Sequence, residues 1–199
     1  MPQIHWGGVI EDPAAYQQGV LPQGAHRITG PDTTARLLLA ATPFAVPAVA
    51  VLVLSMLGKS VRHGGMVVSP PWIVLGVLLG LLLLAVHELL HAAAYPPQAV
   101  VTIGVLPRQF AAVALVSYPL RRGRFLLMLL LPFVLGLTPL LAFWCSPAEK
   151  PALNGVLFGL AAMGMVSPYP DVYNAVQVLR QAPRGANVQF WGEGLYCLP

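Results

Sequence analysis

The chain has 199 residues, of which 57% are hydrophobic and only 9% charged, and its mean hydropathy is +0.72. Soluble globular domains carry about a quarter charged residues, so this composition excludes an ordinary water-soluble globule and points to an integral membrane protein. The formal net charge of +4 does not call for a nucleic-acid partner, because the basic residues are spread over short loops, where they set membrane orientation.

In chain order, residues 1–34 form a polar segment punctuated by Pro and Gly and holding Glu11, Asp12 and Asp32. It reads as a cytosolic lead-in, and no basic n-region followed by an apolar h-region marks a cleaved signal peptide. Four apolar runs follow: Leu37 to Leu57, Trp72 to Ala94, Phe125 to Trp144, and Ala152 to Val166. The first three approach the roughly 20 residues needed to cross a hydrocarbon core, and the fourth is short. Pro43 and Pro47 in the first run, and Pro132 and Pro139 in the third, predict kinks whose freed carbonyls need partners from neighbouring segments.

Between the second and third runs, Val100 to Val105 and Phe110 to Tyr118 are rich in β-branched and aromatic residues, with a turn-like Leu106-Pro107-Arg108-Gln109 between them. This pattern predicts a β-hairpin, which either offers its exposed edge to an extended peptide or only plugs the bundle. The expected fold class is therefore an all-α membrane protein of about four transmembrane helices with a β-hairpin-like insertion between the second and third. Residues 35–180 form the membrane domain and residues 181–199 a cytosolic tail. Cys145 and Cys197 are far apart and show no C-x-x-C spacing, so neither a disulfide framework nor a thiolate site is indicated.

Loop charges orient this arrangement. With the N-terminus inside, the cytosolic segments hold Arg27, Arg36, Arg108, Arg121, Arg122, Arg124, Arg180 and Arg184, against Lys59, Arg62 and Lys150 outside. The positive-inside rule then gives N-in, C-in.

The chemistry is concentrated in His87-Glu88-Leu89-Leu90-His91, a His-Glu-x-x-His motif near the end of the second run. Residues four apart share a helix face, so His87 and His91 can bind one Zn²⁺, while Glu88 reaches a metal-bound water as general base. Three ionisable side chains in an apolar segment are costly and mark function, although they could instead cap a membrane helix at the interface. A catalytic zinc usually takes a third protein ligand. Topology disfavours Glu149 and His63 as outer residues, the carboxylates and histidines before the first span, and Glu193 in the tail, which leaves Asp171. Counting about 1.5 Å per residue, His91 and Asp171 both lie roughly 28 Å into the membrane, near its cytosolic side. Asp171 also suits a helix N-terminus, and Asn174 one turn on is a candidate to hydrogen-bond it.

His87-Glu88-Leu89-Leu90-His91-Ala92, the β-like segment, Arg124 to Phe133, Asp171-Val172-Tyr173-Asn174 and Leu179 to Ala186 together resemble the DUF3267 zincin peptidases of bacteria. More distantly, the layout is similar to the site-2 class of intramembrane metalloproteases, from which it departs in having Pro170-Asp171-Val172 where an Asp-Gly pair is expected. The resemblance implies His87, His91 and Asp171 as zinc ligands, Glu88 as catalytic base, a bacterial cytoplasmic membrane, and protein or peptide substrates in or near the bilayer. The expected function is a zinc-dependent membrane endopeptidase. A non-catalytic zinc-binding scaffold is the alternative, and a transporter ranks below both because the ionisable cluster lies at one end only.

Overall fold

The computed structural model describes residues 1–107 and 111–199; Arg108 and Gln109 of the expected turn and Phe110 of the expected second strand lie outside the described residues. The chain is mainly helical, with strands β1 (Gln3–Val9), β2 (His26–Arg27), β3 (Val100–Leu106), β4 (Ala111–Leu115), β5 (Leu120–Arg121), β6 (Asn187–Trp191) and β7 (Gly194–Leu198). Its helices are α1 (Thr34–Ala41), α2 (Val46–His63), α3 (Pro70–Leu82), α4 (Leu84–Ala93), α5 (Arg122–Leu130), α6 (Val134–Cys145), α7 (Pro151–Val166) and α8 (Tyr169–Gln181). Two compact units result. The first comprises Met1–Ala41, His87–Leu131 and Pro170–Pro199, and the second Thr42–Val86 and Pro132–Tyr169.

The first unit corrects the all-α expectation, because it holds two β-sheets. One has the order β1-β3-β4 and the other β2-β7-β6-β5. The expected hairpin is present as the antiparallel pair β3–β4, in register from Thr102↔Leu115 to Leu106↔Ala111. β1 was not foreseen. It runs parallel to β3 from Gln3↔Val100 to Val9↔Val105, with an irregularity between Trp6 and Gly8. Gly8 lies there at φ 65°, a left-handed conformation that a glycine adopts without the Cβ penalty. The pleat splits β3 between two cores. Val101 and Ile103 join Ala92 of α4, Phe125 and Met128 of α5 and Val178 of α8 on one side, and Leu106 joins Ile10 and Leu115 on the other.

The second unit is built from α2, α3, α6 and α7, which pack through glycines. Gly76 and Gly80 on α3 and Gly155 and Gly159 on α7 are each four residues apart, the small-xxx-small spacing that lets helix backbones approach in lipid. A Cβ at Gly159 would lie 2.3 Å from the Ile73 carbonyl oxygen and 2.8 Å from the Val77 nitrogen, both backbone atoms unable to swing aside. Gly159→Ala is therefore expected to destabilise the protein by about 1–3 kcal/mol. Gly123→Ala, where a Cβ meets nothing within 4 Å, is expected to stay within about 0.5 kcal/mol of wild type. Thermal unfolding in one detergent compares them, and an unaltered Gly159→Ala would refute the close packing.

Lys59, expected among outer-loop charges, instead lies within α2 and is buried. Its ammonium donates to the Ser146 carbonyl (2.7 Å), Ser146 Oγ (3.0 Å), Asn154 Oδ1 (2.8 Å) and the Phe143 carbonyl, and it sits 4.5 Å from the centre of the Phe143 ring. The carbonyl end of α6 and an aromatic face together stabilise this cation without a carboxylate.

Three helical stretches among the described residues are long and apolar enough to cross a membrane: Thr34–His63, Arg122–Cys145 and Pro151–Gln181. They become up to four if the pair Pro70–Leu82 and Leu84–Ala93, broken at Leu83, counts as one span. Only 11% of the most apolar window of Thr34–His63 is buried. Leu54, Leu57 and Val61 there are exposed, an apolar surface that water does not favour but lipid does.

Candidate metal centre

α4 supplies two of the three converging groups. It is a 10-residue helix, LAVHELLHAA, in which His87, Glu88, His91 and Ala92 are the buried residues. His87 and His91 are one turn apart on one face, and their Nε2 atoms approach to 3.0 Å. The third group comes from the first turn of α8, where Pro170 precedes Asp171. Asp171 Oδ2 lies 3.4 Å from His87 Nε2 and 3.5 Å from His91 Nε2. Ligand atoms of His87, His91 and Asp171 all fall within 4.8 Å of one another.

These spacings can be tested against a metal. A tetrahedral zinc with arms of about 2.0–2.1 Å separates its ligand atoms by roughly 3.3–3.4 Å. The three edges observed, 3.0, 3.4 and 3.5 Å, lie on either side of that value. Two imidazole nitrogens and a carboxylate oxygen are also a donor set that zinc accepts, as in His₂-carboxylate catalytic sites. The residues present fit the ion.

The orientation of His91 comes from α5. Its Nδ1 lies 2.9 Å from the Met128 carbonyl oxygen, which can only accept, so Nδ1 bears a proton and Nε2 is the nitrogen left to face a metal. In a continuous α-helix that carbonyl would accept the amide of the residue four further on. That residue is Pro132, which has no N–H. The proline thus leaves the Met128 carbonyl to His91, and the neighbour that the kinked third run required is this ring. Pro132→Ala restores a competing donor and is expected to weaken zinc binding about 10–100-fold, the usual cost of losing a ligand's orienting partner. A chelator-competition titration measures this, and wild-type affinity would break the link.

Glu88 is buried, with Oε1 4.0 Å from His87 Nε2. The backbone N–H of Ala114 in β4 faces its carboxylate. In an antiparallel ladder alternate residues turn their N–H and C=O toward the partner strand and the rest turn them away. β4 is an edge strand, so Ala114 and, two residues back, Ala112 belong to the set facing away from β3.

The other candidates stand apart from the metal cluster. Asn174 lines a small recess with Thr29, Pro31 and Gln177, and no hydrogen bond joins it to Asp171 among the described residues. Glu193 accepts the Thr34 amide at 3.0 Å, His26 pairs with Cys197 in the second sheet, and His63 ends α2. Sequence reasoning missed the Met128 carbonyl and the Ala114 amide. The first had a legible signal in the spacing of Met128 and Pro132; the second is a backbone group, which side-chain patterns do not report.

A glutamate and two histidines on one helical turn, met by a carboxylate from a distant helix, define the zincin class of metallopeptidase site. The chain belongs to the DUF3267 family (Putative zincin peptidase), which matches residues 79–187 and so spans α4, the β3–β4 pair, α5 and α8. No curated protein and no solved structure matches it.

Proposed function

We propose that the protein is a zinc-dependent endopeptidase embedded in a bacterial cytoplasmic membrane, N-in and C-in, with its site near the cytosolic face. It would cleave membrane or membrane-proximal proteins. The observation that carries this reading is the convergence of His87, His91 and Asp171 on one point beside the buried carboxylate of Glu88.

His87 Nε2, His91 Nε2 and Asp171 Oδ2 would hold the ion. Zinc bound there supplies Lewis acidity toward a peptide carbonyl and lowers the pKa of water toward about 7. Glu88 takes a proton from the attacking water and returns it to the leaving amine. His91 keeps its own Nδ1 proton throughout, engaged by the Met128 carbonyl. A helical substrate hides its scissile bond in its own hydrogen bonds, so it must be held extended. The outward edge of β4 can pair with such a strand and lies beside Glu88.

Metal analysis of the gently purified protein beside His87→Ala tests the reading. About one zinc per wild-type chain, lost in the variant, is the expected result. A wild type without zinc would sink it.

A further inference from the structure

Five arginines of the first unit lie at or beside the ends of three of its helices. Arg121 pairs in register with Asn187, and the Arg122 amide donates to the Ala186 carbonyl. Arg122 Nη2 donates to the Leu179 carbonyl in the last turn of α8 at 3.1 Å. Arg124 Nε donates to the Ala94 carbonyl just beyond α4 at 2.6 Å. Arg180 lies in that last turn of α8, and Arg184 in the Pro183–Ala186 turn against which Arg122 is bonded.

Nothing of opposite charge answers this group. Among the described residues the only arginine paired with a carboxylate is Arg36, with Asp32. Arg121, Arg124, Arg180 and Arg184 are exposed, and Arg122 Nε is buried without a hydrogen-bond partner. Like charges held together repel unless an anion joins them. The backbone carbonyls of Ala94 and Leu179 fix two of the guanidinium groups in place, so the cluster is held in shape before any anion arrives.

Its place along the helices identifies the anion. α5 opens the apolar stretch Arg122–Cys145, α8 closes the stretch Pro151–Gln181, and α4 closes the broken pair that starts at Pro70. The 24 residues of Arg122–Cys145 extend about 36 Å at 1.5 Å each, beyond the roughly 30 Å of hydrocarbon and within the 40–45 Å that includes headgroups. The first turn of α5 therefore falls in the headgroup layer. On the same helix Leu127 and Leu130 are exposed, an apolar flank for acyl chains directly below the arginines. A soluble anion would need no such flank.

We propose that these arginines bind the phosphate headgroups of anionic phospholipids. Guanidinium forks match phosphate oxygens in bidentate geometry, which an ammonium does not. The inference rests on the bilayer reading of the apolar helices and is independent of zinc.

Native mass spectrometry of the full-length protein, offered equal phosphatidylglycerol and phosphatidylethanolamine, tests it. Wild type is expected to retain phosphatidylglycerol at least ten-fold more than phosphatidylethanolamine. The combined variant Arg121→Gln, Arg180→Gln, Arg184→Gln is expected to lower that retention on the order of 100-fold, at roughly five-fold per arginine, with zinc content unchanged. Should the triple variant not fold, Arg184→Gln alone, in an exposed turn, is expected to give the five-fold loss. Equal retention of the two lipids, undiminished phosphatidylglycerol on the variants, or displacement of phosphatidylglycerol by equimolar inorganic phosphate would each overturn the proposal.

Discussion

Glu88→Gln is expected to lower peptide cleavage by about 10²–10⁴-fold, the range attributable to a general base, and to leave the zinc content at the wild-type level. The substitution preserves shape. The amide oxygen can still face the Ala114 N–H as the carboxylate does, but the amide cannot take a proton from water. His87, His91 and Asp171 are untouched, so metal binding should not change. Turnover of an unstructured peptide and metal analysis on the same preparation make the comparison. Cleavage at the wild-type rate would remove Glu88 from the proton path, and loss of zinc would assign it a structural role instead.

Asp171→Ala is expected to weaken zinc binding by more than the roughly 100-fold that marks the upper end for an orienting partner, because it removes a ligand outright. It also removes the negative charge facing the two imidazole nitrogens at 3.4 and 3.5 Å. Asp171→Asn retains an oxygen without the charge and should fall between. The effect can be read without any peptidase assay. A bound ion stabilises the folded state by about 2.7 kcal/mol when present at 100 times its dissociation constant. Chelation should therefore lower the Tm of the wild type and leave that of Asp171→Ala almost unmoved. An equal chelator response in both proteins would exclude Asp171 from the metal centre.

The two predictions draw on different kinds of legibility. Glu88 was readable because a five-residue spacing is a local property: 3.6 residues per turn puts His87 and His91 on one face whatever the rest of the chain does. Asp171 was reached by elimination among seven carboxylates, and helical rise then put it level with His91. Elimination and rise name a candidate but not its neighbours, and Asn174 was added only as the residue one turn on from Asp171. The structure places Asp171 at the histidines and Asn174 beside Thr29 and Gln177.

The hairpin was legible for the same local reason. Val100 to Val105 is rich in β-branched residues and is followed by a turn-like stretch, so β3 and its antiparallel partner β4 were expected. β1 and the second sheet were not. Gln3–Val9 lies in a segment that reads as a polar lead-in and is interrupted by Gly7 and Gly8, and it becomes a strand where β3 presents an open edge to it. Lys59 failed in the opposite sense. A lone lysine near a helix end reads as a loop charge, and only the meeting of Phe143, Ser146 and Asn154 around its ammonium allows it to be buried.

By itself the sequence determined the apolar helices, the His-Glu-x-x-His face and the level at which a carboxylate could join it, because hydropathy, periodicity and rise are properties of one segment at a time. Tertiary structure decided which carboxylate meets the histidines, which backbone carbonyl orients His91, and which edge amide faces Glu88. Those outcomes depend on distances between segments far apart in the chain, and on the backbone hydrogen-bonding group that Pro132 and the edge of a sheet leave free.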